Sequence, residues 1–245
     1  MDTQEKTNNT TGPVCILGMH RSGTSCLTGC LQEIGVYLGD VAEESTHNLK
    51  GNRESLPIRQ LNESLLIANG GDWRNPPAEL QWDDELRIRR DEILKNYQNS
   101  DSNTWGFKDP RTTFTLPFWK EGIPQFRLIG TYRHPVSVAR SLQARSENLS
   151  IQEGLDVWLR YNRKLLDIHQ KTPFPVLSFD LDPEVYQSAF FEGVTQLSLS
   201  IPNDVKTLTF FDNNLRHQQK APNSSELSSE ILEIYARLND LIVSP

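Results

Sequence analysis

The chain is short of sulfur, of positive charge and of long apolar runs, and each shortage excludes something. Only three cysteines occur, Cys15, Cys26 and Cys30, all close together near the N-terminus. An odd number so placed gives no disulfide framework and reads as buried thiols in a reducing compartment. No histidine or further cysteine clusters with Cys26 and Cys30, so no metal site is expected, and packing explains these thiols. Lysine and arginine total 25 against 32 aspartates and glutamates, for a net charge of −7 and a pI near 5.3. An acidic body of this kind argues against nucleic acid or an anionic membrane as its main partner. No stretch approaches the ~20 apolar residues of a membrane helix. Met1–Thr11 is polar and has no apolar core of a secretory signal, so a cytoplasmic protein is expected. Those residues read as a disordered tail and 12–245 as one domain, a natural size for a single core.

The most informative absence is one lysine. Val14-Cys15-Ile16-Leu17 runs into Gly18-Met19-His20-Arg21-Ser22-Gly23-Thr24-Ser25, and a helix-like stretch follows from Cys26 to Ile34. Strand, glycine turn and helix start make an anion cradle out of backbone N–H groups and the helix dipole. A nucleoside-triphosphate loop would carry lysine after its second glycine; Thr24 stands there, and Arg21 is the nearest cation. The loop suits a phosphate handled without the usual magnesium and triphosphate chemistry.

Short apolar runs alternate with helix-period segments, which predicts an α/β fold with a parallel sheet. Strands are expected at Val14–Gly18, Trp105–Lys108, Phe126–Tyr132 and Pro175–Phe179, with a fifth candidate at Val205–Phe210. Helices are expected near Cys26–Ile34, Ser55–Ala68, Asp83–Tyr97, Val136–Ala144, Ile151–His169, Pro183–Gln196 and Glu226–Ile242, and a loop over Gly70–Gln81. Ligands of open α/β sheets bind beyond the carboxyl ends of the strands. Polar clusters at Arg21, Asp109 and Arg133 each follow such an end.

Arg133-His134-Pro135 forms the second constellation. Proline suits the first turn of a helix, and Ser141 then falls about one and a half turns inside it. An arginine fork and a hydroxyl can reach one anion from there. A phosphate loop with arginine in place of the lysine, then strand–Arg-x-Pro-x5-Ser–helix, together resemble the superfamily of sulfotransferases that use 3′-phosphoadenosine 5′-phosphosulfate (PAPS). The resemblance spans Val14 to Asp180 and includes Phe107-Lys108-Asp109-Pro110-Arg111 and Ser178-Phe179-Asp180. It is strongest toward the soluble bacterial-type and carbohydrate-modifying branch, which also uses Arg-Ser-Gly in the loop.

The resemblance implies a three-layer sandwich of the P-loop type, with a parallel central sheet flanked by helices. It implies PAPS as co-substrate, no metal, and transfer to a hydroxyl of a carbohydrate or small polar metabolite. Arg21 would contact the transferring group, with Ser22, Gly23, Thr24 and Ser25 donating to the 5′-phosphate; His20 would bond loop or substrate. Arg133 and Ser141 would hold the 3′-phosphate. Glu54, in Asn48-x-x-Gly51-x-x-Glu54, is the first candidate for general base, with His47 as the alternative; a glutamate in a first helical turn also serves the helix dipole. Lys108 would lie beside the sulfuryl group, and Asp109 would orient Lys108 and Arg111. The C-terminal Gly-x-x-Gly-x-x-Lys loop of the cytosolic relatives is absent. Phe211–His217 stands in its place, where Arg216 is either a nucleotide contact or a solvated arginine. Asn162 is expected to make a core hydrogen bond, and Trp73 and Trp82 to plug a surface or cover a sugar. A P-loop kinase and a non-catalytic nucleotide-binding protein are the competing readings.

Overall fold

The computed structural model describes residues 12–41, 51–100, 102, 104–145, 148–210 and 227–243. Four parallel strands lie in the order β2-β1-β3-β4: β1 Val14–Leu17, β2 Gly106–Lys108, β3 Arg127–Tyr132 and β4 Val176–Ser178. Around them stand α1 Thr24–Glu33, α2 Leu56–Ala68, α3 Asp84–Gln98, α4 Thr112–Gly122, α5 Pro135–Arg145, α6 Ile151–Lys171, α7 Pro183–Gln196 and α8 Ser229–Asn239.

The alternation of side chains along β1 separates the layers. Val14 and Ile16 join α1 and α7 through Leu27, Leu31, Tyr186 and Phe190. Cys15 and Leu17 join the opposite layer, which holds Leu61, Trp119, Trp158 and Tyr161. The strands are buried throughout, as expected for a parallel sheet covered on both faces. Pairing runs Val14 with Gly106 on one side and with Arg127 on the other. The chain therefore leaves β1 for β2 on one side and crosses back from β2 over β1 to β3 on the other, and the crevice at the carboxyl ends of β1 and β3 is the place such sheets offer a ligand.

Two expectations need correction. Val205–Phe210 is not a strand: the Leu208 N–H donates to Gln187 Oε1 at 2.9 Å and the Thr209 N–H to the Glu33 carboxylate at 3.1 Å. Backbone donors spent on side chains make no ladder. Beside β4 the chain instead brings Ile242 opposite Val176, and the Val243 N–H donates to Val176 O at 3.1 Å. Conversely, α4 carries Pro117 and the β-branched Thr112, Thr113 and Thr115, poor helix formers, and no helix was expected there. Tertiary bonds hold it: buried Asn62 donates to Thr112 Oγ1 at 3.1 Å, and its Oδ1 accepts from Thr115 Oγ1 at 2.7 Å and Trp119 Nε1 at 2.8 Å. Gly70–Gln81 holds neither helix nor strand. Asn162 donates to Trp158 O at 2.8 Å within α6.

Candidate active site

The carboxyl ends of all four strands converge. β1 opens into the loop Gly18–Gly23, β2 ends at Lys108-Asp109, β3 at Tyr132-Arg133 and β4 at Ser178-Phe179.

The loop is shaped by its backbone. Arg21 has φ 65° and Gly23 φ 84°, a left-handed setting that turns successive N–H groups toward one point. A Cβ on Gly18 would sit 2.4 Å from Thr131 O, and one on Gly23 2.3 Å from the Phe179 ring; neither position admits a side chain. Gly23 has no side chain to cap α1, and among the described residues this leaves the N–H groups of its first turn for an anion. Ser22 is buried, and its hydroxyl finds no partner among the described residues.

The cation absent from the loop arrives from the neighbouring strand. Lys108, 2% exposed, donates from Nζ to Glu54 Oε1 at 2.7 Å, to Ser25 Oγ at 3.3 Å and to the Asn52 carbonyl. Those bonds use all three ammonium hydrogens and tie α1 to the segment preceding α2. Beside it Asp109, 1% exposed, accepts from the Arg111 N–H at 2.7 Å and from Nη1 at 3.2 Å to each oxygen, while Arg111 Nη2 reaches Glu63 Oε1 at 2.6 Å. Burial pushes the Asp109 carboxyl up to about 6, with Arg111 opposing.

The second motif meets the first directly. Arg21 Nε donates to Ser141 Oγ at 2.8 Å. Arg133, 8% exposed, donates from Nε to Asp180 Oδ1 at 3.3 Å, and its guanidinium lies 5.3 Å over the Phe179 ring. Phe179 thus packs against Gly23 of one motif and Arg133 of the other. Burial and the charges of Arg145 and Arg133 lower the Arg21 pKa.

A cavity of about 300 Å³ opens beside the loop, lined among others by His20, Arg21, Glu54, Arg59, Trp73 and Arg145. His20 lies 4.8 Å from the Trp73 ring, and its Nε2 is buried with no partner among the described residues. Burial first, then the charges of Arg111, Lys108, Arg145 and Arg21, hold its pKa well below the ordinary value. Trp82 stands elsewhere, donating to Glu121 Oε2 at 2.7 Å and packing edge-on to Phe118.

The structure thus gathers Glu54, His20, Arg21, Thr24 and Ser25 on one cavity, with Lys108 bonded to two of them and Ser141 to a third. His47 and Arg216 lie outside the described residues. Sequence reading passed over Arg59 and Arg145. Their only signal was position: one lies five residues past Glu54, the other a helical turn past Ser141. Among the described residues no group of three metal-ligating side chains gathers, and no helix is long and apolar enough to cross a membrane.

Comparison with known proteins bears on the family and the fold. The model of the Sulfotransferase family matches residues 13–179. The sulfotransferase domain from the Synechococcus PCC 7002 olefin synthase superposes with a TM-score of 0.55 at 16% identity, covering 97% of this chain and 98% of that domain. The sulfotransferase domain from the curacin biosynthetic pathway gives 0.50 at 18% identity, covering 96% and 99%. At those identities the likeness shows a shared fold. Curated protein sequences give no match.

Proposed function

The chain belongs to the sulfotransferase family, and from that premise we propose that it moves the sulfuryl group of PAPS onto an acceptor hydroxyl, with Glu54 as general base. The observation that carries this reading is the meeting of two anion motifs, Arg21 with Ser141 at 2.8 Å. One motif fits a 5′-phosphosulfate and the other a 3′-phosphate. The residues suit such a nucleotide: among the described residues Ser22 keeps a buried hydroxyl without a partner, two glycines let Thr131 and Phe179 close on the loop backbone and fix its shape, and Gly23 gives α1 no side-chain cap.

In this reading Ser22, Thr24, Ser25 and the first-turn N–H groups hold the 5′-phosphate, and Arg133 and Ser141 hold the 3′-phosphate. What the nucleotide supplies is an activated sulfuryl group: the acceptor oxygen gains its S–O bond as the bond from sulfur to the 5′-phosphate oxygen breaks, the electron pair staying on that phosphate. Arg21 and Lys108 offset the charge that develops there, fixed in place before the reaction and so at little reorganisation cost. Lys108 holds Glu54 at Oε1, and Glu54 accepts the hydroxyl proton. Trp73 and His20 form the wall against which the acceptor lies. The acceptor is a carbohydrate or another small polar metabolite.

Thermal shift tests the donor. Adenosine 3′,5′-bisphosphate is expected to stabilise the protein without magnesium, while ATP with magnesium does little. A magnesium-dependent shift with ATP alone points to a kinase and sinks the proposal. Glu54→Gln should keep the bisphosphate shift and lose about 10²–10⁴-fold in turnover; full activity in that variant removes Glu54 as the base.

A further inference from the structure

We propose that the acceptor is itself an acid: a hydroxylated molecule whose carboxylate or phosphate is seated by Arg59, Arg111 and Arg145. This rests on the sulfotransferase reading above and specifies its substrate class.

Among the described residues four arginines line the cavity, Arg21, Arg59, Arg111 and Arg145, against one carboxylate, Glu54. That carboxylate is already held by Lys108. Such an excess of positive charge stands on a chain of net charge −7, so it is local and specific.

The nucleotide does not account for all of it. Its 3′-phosphate is met by Arg133 and Ser141, and its 5′ end by the loop with Arg21 and Lys108. Arg59, Arg145 and one edge of Arg111 remain. Arg111 is 7% exposed; its terminal nitrogens engage Asp109 and Glu63, yet Nε is buried and unpartnered among the described residues. Arg59 Nε is in the same condition. Glu63, one turn along α2, would be its natural partner at i,i+4, but Glu63 Oε1 is taken by Arg111, and Arg59 has no ion pair among the described residues. Buried guanidinium N–H groups without acceptors are costly, and a planar anion satisfies such forks best. Arg145 lies one turn beyond Ser141 on α5 and lines the same cavity. Its charge is among those that suppress protonation of His20.

Polar His20, Thr24, Ser25 and Asn52 continue the lining on the loop side, and Trp73, Pro110, Leu142 and Leu149 supply apolar walls. About 300 Å³ is at the small end of ligand sites. The geometry fits a compact hydroxy acid with a flat or aliphatic body, its anion toward Arg59 and its hydroxyl toward Glu54.

The test is calorimetric binding to protein saturated with adenosine 3′,5′-bisphosphate, which needs no turnover. Two series serve as probes: glucose, glucuronate and glucose 6-phosphate; and 4-hydroxyphenylethanol, 4-hydroxyphenylacetate and 4-hydroxyphenylethyl phosphate. In at least one series an acid is expected to bind at least about tenfold tighter than its neutral parent, and the better acid tells carboxylate from phosphate. Arg59→Gln and the exposed Arg145→Gln should each cut that preference about fivefold or more, leaving the parent alcohol unchanged. If no acid outbinds its parent in either series, or if the preference survives both variants, the inference is overturned. Failure to bind the bisphosphate instead sinks the donor assignment; the same titrations on the nucleotide-free protein then still decide whether the arginine cavity selects acids.

Discussion

The loop Gly18–Gly23 and the motif Arg133–Ser141 lie side by side, yet the first is shaped by backbone and the second by side chains. In the loop, positive φ at Arg21 and Gly23 and the absence of space for a Cβ at Gly18 and Gly23 fix the cradle. In the second motif, Arg133 is aimed by Asp180 and Phe179, and Ser141 by its place on α5. Backbone shape tolerates no partial change, because an added Cβ must move Phe179 or Thr131. Side-chain aim can be degraded in steps, because each contact can be removed without an added Cβ forcing the backbone to move. In the function proposed above, the phosphate common to many nucleotides would sit on the rigid part and the distinguishing 3′-phosphate on the adjustable part.

The sharpest way to break the contrast is Gly23→Ala. A left-handed setting costs a non-glycine residue about 1–2 kcal/mol, and a contact at 2.3 Å with Phe179 adds overpacking strain. A stability loss of about 2–4 kcal/mol in urea unfolding is expected, together with loss of the bisphosphate shift. Stability within about 0.5 kcal/mol of the parent would show that the loop is as pliable as the clamp.

Arg133→Gln should act on binding more than on folding. Charge-assisted hydrogen bonds to a phosphate are worth about 1.5–3 kcal/mol, so affinity for adenosine 3′,5′-bisphosphate should fall about 10–100-fold. Affinity for adenosine 5′-phosphate, which has no 3′-phosphate, should change less than about threefold. Equal losses for both ligands would mean that Arg133 is part of the cradle and the two motifs are not distinct.

The smallest effect is in pH. Below about pH 6.5 the unfolded chain protonates His20, while the folded chain, with that pKa well depressed, does not; stability therefore falls as pH falls. Asp109 works in the opposite sense. Its carboxyl, raised to about 6, takes a proton in the folded chain while the unfolded chain remains ionised, so its contribution rises as pH falls from about 6 toward 4. His20→Gln removes only the first effect. The loss of stability between pH 7 and 5.5 should shrink by about 1 kcal/mol, read from urea unfolding at the two pH values. An unchanged loss would show that His20 titrates freely in the loop.

The loop, its flanking strand and helix, and the Arg133–Ser141 motif were legible because each is a contiguous signal: apolar run, turn chemistry, helix. All four observed strands were legible for the same reason. Helix α4 was not, because Pro117 and three threonines speak against a helix, and it is Asn62, 50 to 57 residues earlier, that decides the matter. The segment Val205–Phe210 has a strand's composition, but Glu33 and Gln187 claim its backbone donors from elsewhere in the chain.

By itself the sequence determined the α/β class, the glycine turn between β1 and α1, and the strand–Arg133-x-Pro135–helix run that carries Ser141, since these follow from the order of residues along a single stretch. Only the tertiary structure decided that Lys108 meets Ser25, Asn52 and Glu54, that Phe179 packs against both motifs, and that Arg59, Arg111 and Arg145 line one cavity. Those facts depend on which side chains come within a few ångströms of each other across separate elements, and burial and charge at such meeting points have no signature in any local run of residues.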